Sequence, residues 1–319
     1  MSLLTETSPS IMLVRRSAIA GIAASFLAAC TRNSSVATHD KADGGQIEQL
    51  EKLQASIPGI LGAYIIDCES GQGFGINENK HFALCSSFKL SLAAMVLQKA
   101  DRGEINLDQR VHYSEGDLLS YSPVTRENLA HGLTLEELAK AAQVASDNAA
   151  ANILMREFGG PQAMTQFWRN MGDTVSRLDK TEPDLNLVAP GDEHDTTTPE
   201  AMAHTLAKLM TGTVISESSR AKLWAWMQET STGLQRIRGG IPKGWPAGDK
   251  TGTSFAEGFG SNYADIAFVR PPNGPPLAIT SYYRLPNVHK KSEPQSQAVL
   301  AKVGAIAADF ARQQAHKAT

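Results

Sequence analysis

Ser86 and Lys89 stand three residues apart in Ser86-Ser87-Phe88-Lys89, at the head of an apolar run. On a helix that spacing puts a hydroxyl and an amine on one face, one turn apart, close enough to exchange a proton. A serine nucleophile needs such a base. At a helix N-terminus the free backbone N–H groups and the positive dipole end also favour an oxyanion forming beside Ser86. The pair alone carries little weight, because a chain of this length and composition holds about one S-x-x-K by chance. This one holds a second, Ser219-Arg220-Ala221-Lys222, on an ordinary helical stretch. Two tripeptides change the odds. Ser146-Asp147-Asn148 interrupts two helical runs, so its side chains project from a turn. Lys250-Thr251-Gly252 falls on an expected strand, where Gly252 lets a substrate backbone approach closely. Each tripeptide arises by chance in fewer than about one such chain in ten, so all three in this order are a strong signal.

The rest of the composition narrows what these residues serve. The 319 residues are 42% hydrophobic, 20% charged and 6% aromatic, which fits a soluble globular protein and excludes disorder, collagen and coiled coil. A net charge of −3 lacks the basic excess that phosphate-backbone binding needs, so nucleic acid is not an expected partner. The three cysteines, Cys30, Cys68 and Cys85, form no C-x-x-C pair, so neither a disulfide framework nor a thiolate zinc site is indicated. Asp192-Glu193-His194-Asp195 reads as a solvated turn rather than a metal cluster, since adjacent side chains in a loop diverge. No metal and no cofactor are expected.

Strands are expected at Gly62–Asp67 and Gly73–Ile76, as a hairpin opening the mature domain, and again at Asp249–Phe255, Tyr263–Val269 and Leu277–Leu285. Helices lie between: Phe88–Leu97, apolar on nearly all faces, then a run behind the capping box of Thr134 and Glu137, two more broken at Gly159-Gly160-Pro161, and two around 199–210 and 221–227. A helix from about Pro294 to Ala311 closes the chain. The expected fold is α/β (α+β): a mixed, mainly antiparallel sheet built from both termini with flanking helices, plus an inserted all-helical lobe. The divisions are residues 46–77 with 229–319 for the α/β lobe and 78–228 for the helical lobe. The polar loop 177–195 is long enough to be functional. A cleft between the lobes is the natural site.

The three motifs together resemble those of a class A serine β-lactamase, and the resemblance runs from about Gln46 to the closing helix. Tyr121-Ser122-Pro123-Val124 looks like the family segment whose aromatic residue lines the cleft. Glu182-Pro183-Asp184-Leu185-Asn186 looks like its Ω-loop signature, and Asp195-Thr196-Thr197 like the end of that loop. Carried over by position, the resemblance makes Ser86 the acylated nucleophile and Lys89 a proton acceptor, which burial and nearby Lys250 would favour by lowering its pKa. Ser146 passes a proton to the leaving lactam nitrogen, and Asn148 holds the acylamide side chain. Lys250, Thr251, Thr253 and Arg236 hold the substrate carboxylate, and the N–H groups of Ser86 and Thr253 form the oxyanion hole. Glu182, which alone would read as a solvated loop carboxylate, positions a water with Asn186 and takes its proton, so the acyl-enzyme is hydrolysed. Lys89 and Glu182 both stand as the acylation base. A cis Glu182-Pro183 bond is also implied.

The implied activity is hydrolysis of penicillins and cephalosporins, with carbapenems suggested by Arg236 and Thr253. The alternative is a penicillin-binding sensor or D-Ala-D-Ala transpeptidase-like protein that stays acylated. Two departures stand out. Lys180 takes the place of a family arginine that pairs with the aspartate matched by Asp195, which suggests a looser Ω-loop because an ammonium makes no bidentate fork. Cys85 is present, but Ser254 occupies the position of its disulfide partner in some carbapenem-hydrolysing members. A bridge from Cys68 to Cys85 needs Cα atoms within about 7 Å, and buried free thiols are the other reading.

At the start of the chain, Arg15-Arg16 and the apolar run Ser17–Ala29 make residues 1–29 an export signal, too short to span a bilayer. Leu27-Ala28-Ala29-Cys30 resembles a bacterial lipoprotein cleavage box, with Cys30 as the lipidated residue and 30–45 as a tether; an ordinary signal cut nearby is the alternative. A periplasmic monomer, with a lipid anchor at Cys30, is expected.

Overall fold

A computed structural model describes residues 44–317. The export signal 1–29, Cys30 and all but the last two residues of the tether lie outside the described residues.

Five strands form the central sheet: β1 (Ile60–Asp67), β2 (Gly73–Ile76), β3 (Ala247–Ala256), β4 (Gly260–Val269) and β5 (Leu277–Leu285), in the order β2-β1-β5-β4-β3. Strands from both ends of the chain therefore meet in one sheet, with β1 against β5. Each pairing in it is antiparallel, because three of the four are hairpins and β5 runs back along β1. The apolar residues alternate along each strand and bury both faces. Leu61, Ala63 and Ile65 point to one core, and Tyr64 and Ile66 to the other.

A helix, not a strand, opens the described chain, which corrects the expectation that a hairpin does so. In α1 (Gly44–Ala55) only Gln46, Leu50 and Leu53 are buried, a narrow i, i+4, i+7 stripe easily lost among the charged neighbours Glu48, Glu51 and Lys52. It lies beside α10 (Pro294–Lys317), which runs past the expected end at Ala311 and covers the same sheet face with Leu300, Val303 and Phe310.

The other face meets the helical part of the chain. α2 (Phe88–Asp101) is buried from Phe88 to Leu97, as its all-round apolar sequence requires. Around it stand α3 (Pro123–Glu127), α4 (Leu135–Val144), α5 (Asn148–Phe158) and α6 (Gly160–Asn170). Thr134 and Glu137 form the expected capping box, and Gly159, at φ 97°, ends α5 in the left-handed conformation that a glycine reaches without strain. α7 (Pro199–Thr211) and α8 (Glu217–Glu229) complete this layer, and the short α9 (Ile237–Gly240) precedes β3. The second S-x-x-K lies on α8, where Ser219 donates to Asp101 and Lys222 pairs with Glu136, so it forms no site.

Candidate active site

Ser86 sits in a 3-10 turn, Cys85–Ser87, that leads straight into α2. Cys85 has φ 45° there, a conformation uncommon for a residue with a side chain. β3 presses against this turn at Gly252. A Cβ on Gly252 would lie 2.8 Å from the Cys85 Cβ and 3.0 Å from both the Leu84 carbonyl oxygen and the Ser86 nitrogen. The absence of a side chain at Gly252 thus admits the turn that carries Ser86, and Gly252 itself also lines the cleft.

Two ionisable groups reach the Ser86 hydroxyl. Lys89 Nζ lies 3.0 Å from Ser86 Oγ, and Ser86 Oγ lies 3.1 Å from Glu182 Oε1. Lys89 and Glu182 also pair with each other at 2.9 Å. Burial pushes the Lys89 ammonium below its usual pKa against the opposing charge of Glu182. Burial pushes Glu182 up, but the charge of Lys89 and hydrogen bonds from Lys89, Asn186 and Ser86 together outweigh it, and the carboxyl ends below its ordinary value. Glu182 is therefore an anion at neutral pH. Its other oxygen accepts from Asn186 Nδ2 at 2.7 Å. The Glu182-Pro183 peptide is cis, as the resemblance implied.

The turn before α5 supplies the second wall. Ser146, at φ 57°, offers its carbonyl to Lys89 at 3.0 Å, and its hydroxyl accepts from Lys250 Nζ at 3.0 Å. Asn148 Oδ1 also accepts from Lys89. Asp147 holds this turn in place: its buried carboxylate accepts from the backbone of Val124, Thr125 and Ala150 and from the Thr125 hydroxyl. Sequence reasoning gave Asp147 no role. It also missed Asn152, one turn past Asn148, which donates to the Glu182 carbonyl at 2.8 Å and accepts from the Glu182 N–H at 3.0 Å. The i, i+4 spacing of Asn148 and Asn152 was the available signal.

Lys250, Thr251 and Thr253 bring β3 to the cleft. Burial and then the Lys89 cation hold the Lys250 ammonium down at about 7. Thr251 Oγ1 lies 2.7 Å from the hydroxyl of Thr232, another residue the sequence did not mark. Arg236 is buried behind this edge, donating to the carbonyls of Gly252 and Ala264 at 2.8 Å and to Thr253 Oγ1 at 2.6 Å. Ser254 accepts from Cys85 Sγ at 3.5 Å, filling the place of the missing disulfide partner. Cys85 and Cys68 are both free thiols, and burial raises each to about 12.

Ser86, Tyr121, Ser146, Asn148, Glu182, Asn186, Arg236, Thr251, Gly252 and Thr253 all line one cleft of about 540 Å³. Lys89 and Lys250 lie beneath it, fully buried. Tyr121 stands half-exposed at the mouth. The sequence-marked residues thus converge.

The Ω-loop neck differs from the solvated turn expected at 192–195. His194 pairs with Asp192 in the open, but Asp195 turns inward and is fully buried. Its Oδ1 accepts from the N–H groups of Asp179 and Lys180 at 2.8 and 2.9 Å, and its own N–H donates to Asp179 Oδ2 at 3.1 Å. Lys180 reaches Asp195 only at 3.4 Å, while Arg177 makes a bidentate fork with Asp179. Among the described residues no group of three His, Cys, Asp or Glu side chains could hold a metal ion.

Comparison with known proteins gives a consistent picture. The model of the β-lactamase enzyme family matches residues 46–311. β-Lactamase SME-1 of Serratia marcescens is 40% identical over 261 residues, 81% of this chain and 88% of that protein. An imipenem-hydrolysing β-lactamase of Enterobacter cloacae is 38% identical over 276 residues, 86% of this chain and 92% of that protein. Among solved structures, an ancestral class A β-lactamase superposes with a TM-score of 0.78 at 42% identity, covering 83% of this chain and 99% of that one.

Proposed function

The chain belongs to the class A β-lactamases and hydrolyses β-lactams, and from that premise we propose how its own residues do so. Ser86 Oγ attacks the lactam carbonyl, and its proton leaves to one of the two groups that touch it. The ionised Glu182 can take that proton directly, and Lys89 can take it when neutral. The Ser86 and Thr253 N–H groups receive the oxyanion. Ser146, held by Lys250, delivers a proton to the departing lactam nitrogen. The substrate carboxylate lies against Lys250, Thr251 and Thr253, with Arg236 fixing Thr253 from behind. Tyr121 and Asn148 flank the acylamide side chain. Glu182 and Asn186 then direct a water at the ester carbon, and the enzyme is released.

One observation carries this reading: a buried carboxylate lies in hydrogen-bond contact with the nucleophile and is held there by Lys89, Asn186 and Asn152. A sensor or transpeptidase that stays acylated has no use for such a group. The test follows a penicillin and a chromogenic cephalosporin with purified protein, by turnover and by intact mass together. Fast hydrolysis without a lasting adduct is expected. Glu182→Gln should keep acylation and lose turnover by roughly a hundredfold or more, leaving a mass adduct; unchanged turnover would refute the role. We include carbapenems among the substrates on the strength of Arg236 and the imipenem-hydrolysing relative, which imipenem turnover tests. We also propose export as a periplasmic monomer anchored through Cys30, to be read from the mass of the mature N-terminus and from sedimentation.

A further inference from the structure

Behind the carboxylate-binding edge lie two acids that no step of this mechanism uses. Asp249 and Asp265 are both fully buried. On the paired strands β3 and β4, Asp249 faces Ala267 and Asp265 faces Thr251, so the two acids are diagonal neighbours on one face of the sheet. Each has one oxygen engaged. Asp249 Oδ1 accepts from Arg238 at 3.2 Å, and Asp265 Oδ2 accepts from the Ile237 N–H at 2.9 Å. The remaining oxygens, Asp249 Oδ2 and Asp265 Oδ1, are buried and meet no donor among the described residues, yet the two side chains lie within hydrogen-bond reach of each other. Two carboxylates in that arrangement offer only acceptors. A proton on one of them supplies the missing donor and removes a buried charge.

The surroundings support this. The cations facing the pair are Arg236 and Arg238 from the segment above it and Lys250 from β3, while the neutral Gln143 of α4 donates to the Asp249 carbonyl. Burial, and for Asp265 also the charge of Asp249, push both carboxyls up. Above the pair passes the segment that carries Arg236. A Cβ on Gly233 would fall 1.2 Å from Asp249 Oδ2, so that segment closes directly over the acid. The pair therefore grips the two residues that follow Arg236: Ile237 by its N–H and Arg238 by its guanidinium.

We propose that Asp249 and Asp265 share one proton, and that the hydrogen-bonded pair is the clasp that positions Arg236 behind Thr253 for the substrate carboxylate. Both acids are positioning residues, and the proposal rests on the reading of Arg236 and Thr253 given above.

Infrared difference spectra of the purified protein at neutral pH should show a carboxylic-acid C=O band that shifts in deuterium oxide and is missing from both Asp249→Asn and Asp265→Asn. Asp265→Ala should raise KM for a penicillin on the order of tenfold with kcat retained. Asp265→Asn, whose amide replaces the protonated acid, should restore KM, and the methyl ester of the same penicillin should be indifferent to both changes. Absence of the band, or an equal rise in KM for acid and ester, overturns the clasp. Arg236→Ala separates the two layers of argument. If it raises KM and Asp265→Ala does not, the clasp alone fails; if it leaves KM unchanged, the carboxylate reading falls and takes the clasp with it.

Discussion

Lys89 and Glu182 form an ion pair at 2.9 Å with side chains 0% and 1% exposed, and both contact the same Ser86 hydroxyl. Each charge keeps the other tolerable in a site where burial alone would neutralise both. Lys89→Met removes the cation without opening a large void. Burial then acts on Glu182 against only the hydrogen bonds from Asn186 and Ser86, and its carboxyl should rise from its present position below 4.5. The acid limb of the pH–kcat profile should move to higher pH, and acylation should slow by roughly a hundredfold or more. A mutant profile whose acid limb coincides with that of the parent would show that Lys89 does not hold Glu182 ionised.

Lys250 has its ammonium held down at about 7, so its charge is lost over the neutral range. The carboxylate of a β-lactam then faces an uncharged amine. KM should rise as pH increases through 7, and Lys250→Arg, which keeps its charge, should flatten that rise. The stability effect has a definite sign: the folded pKa lies below the ordinary lysine value of 10.5, so between the two the unfolded chain binds the extra proton and stability increases with pH. Initial-rate kinetics and thermal melts across this window check both statements.

The local parts of this site were legible in the sequence and the tertiary parts were not. Ser86 with Lys89, the Ser146 turn and the Lys250 strand each announce themselves within a few residues, since helix faces, turns and strands set those side chains side by side. Glu182 was reached only by resemblance, because nothing within its loop shows that Asn152, thirty residues earlier, clamps its backbone. Asp147, Asp249 and Asp265 read as ordinary charged residues until the fold buries them. Gly252 was marked for substrate approach, but its closeness to the Ser86 turn is a packing fact that the sequence does not show. The helix α1 escaped notice because three buried residues in twelve barely register as a pattern.

Gly252→Ala follows from that packing. The new methyl would need space now held by Cys85, Leu84 and Ser86, at 2.8 to 3.0 Å, and two of those three atoms are backbone. The nucleophile turn must shift. Overpacking of this kind costs about 1–3 kcal/mol, and a displacement of the reacting group near 1 Å costs about a hundredfold in rate. Activity should therefore fall far more than the melting temperature. Gly116→Ala, whose Cβ would meet only Ser114 Oγ at 3.6 Å, should change neither.

The neck of the Ω-loop decides how long Glu182 stays in place. Lys180 was expected to leave this loop looser, and it does reach Asp195 only at 3.4 Å. The latch is instead made from backbone: Asp195 takes the N–H groups of Asp179 and Lys180, while Asp179 takes that of Asp195 and is itself forked by Arg177. Asp195→Ala strands two N–H groups, at a cost of about 1–3 kcal/mol each if they stay buried. Because the loop carries Glu182 but not Ser86, acylation should be spared while deacylation slows, and stopped-flow traces should show a burst followed by weak turnover. Lys180→Arg, by completing a fork to Asp195, should raise the melting temperature by about 2 °C and leave the burst unchanged. A variant at Asp195 that slows acylation and deacylation equally would show that the latch supports the whole cleft rather than the loop alone.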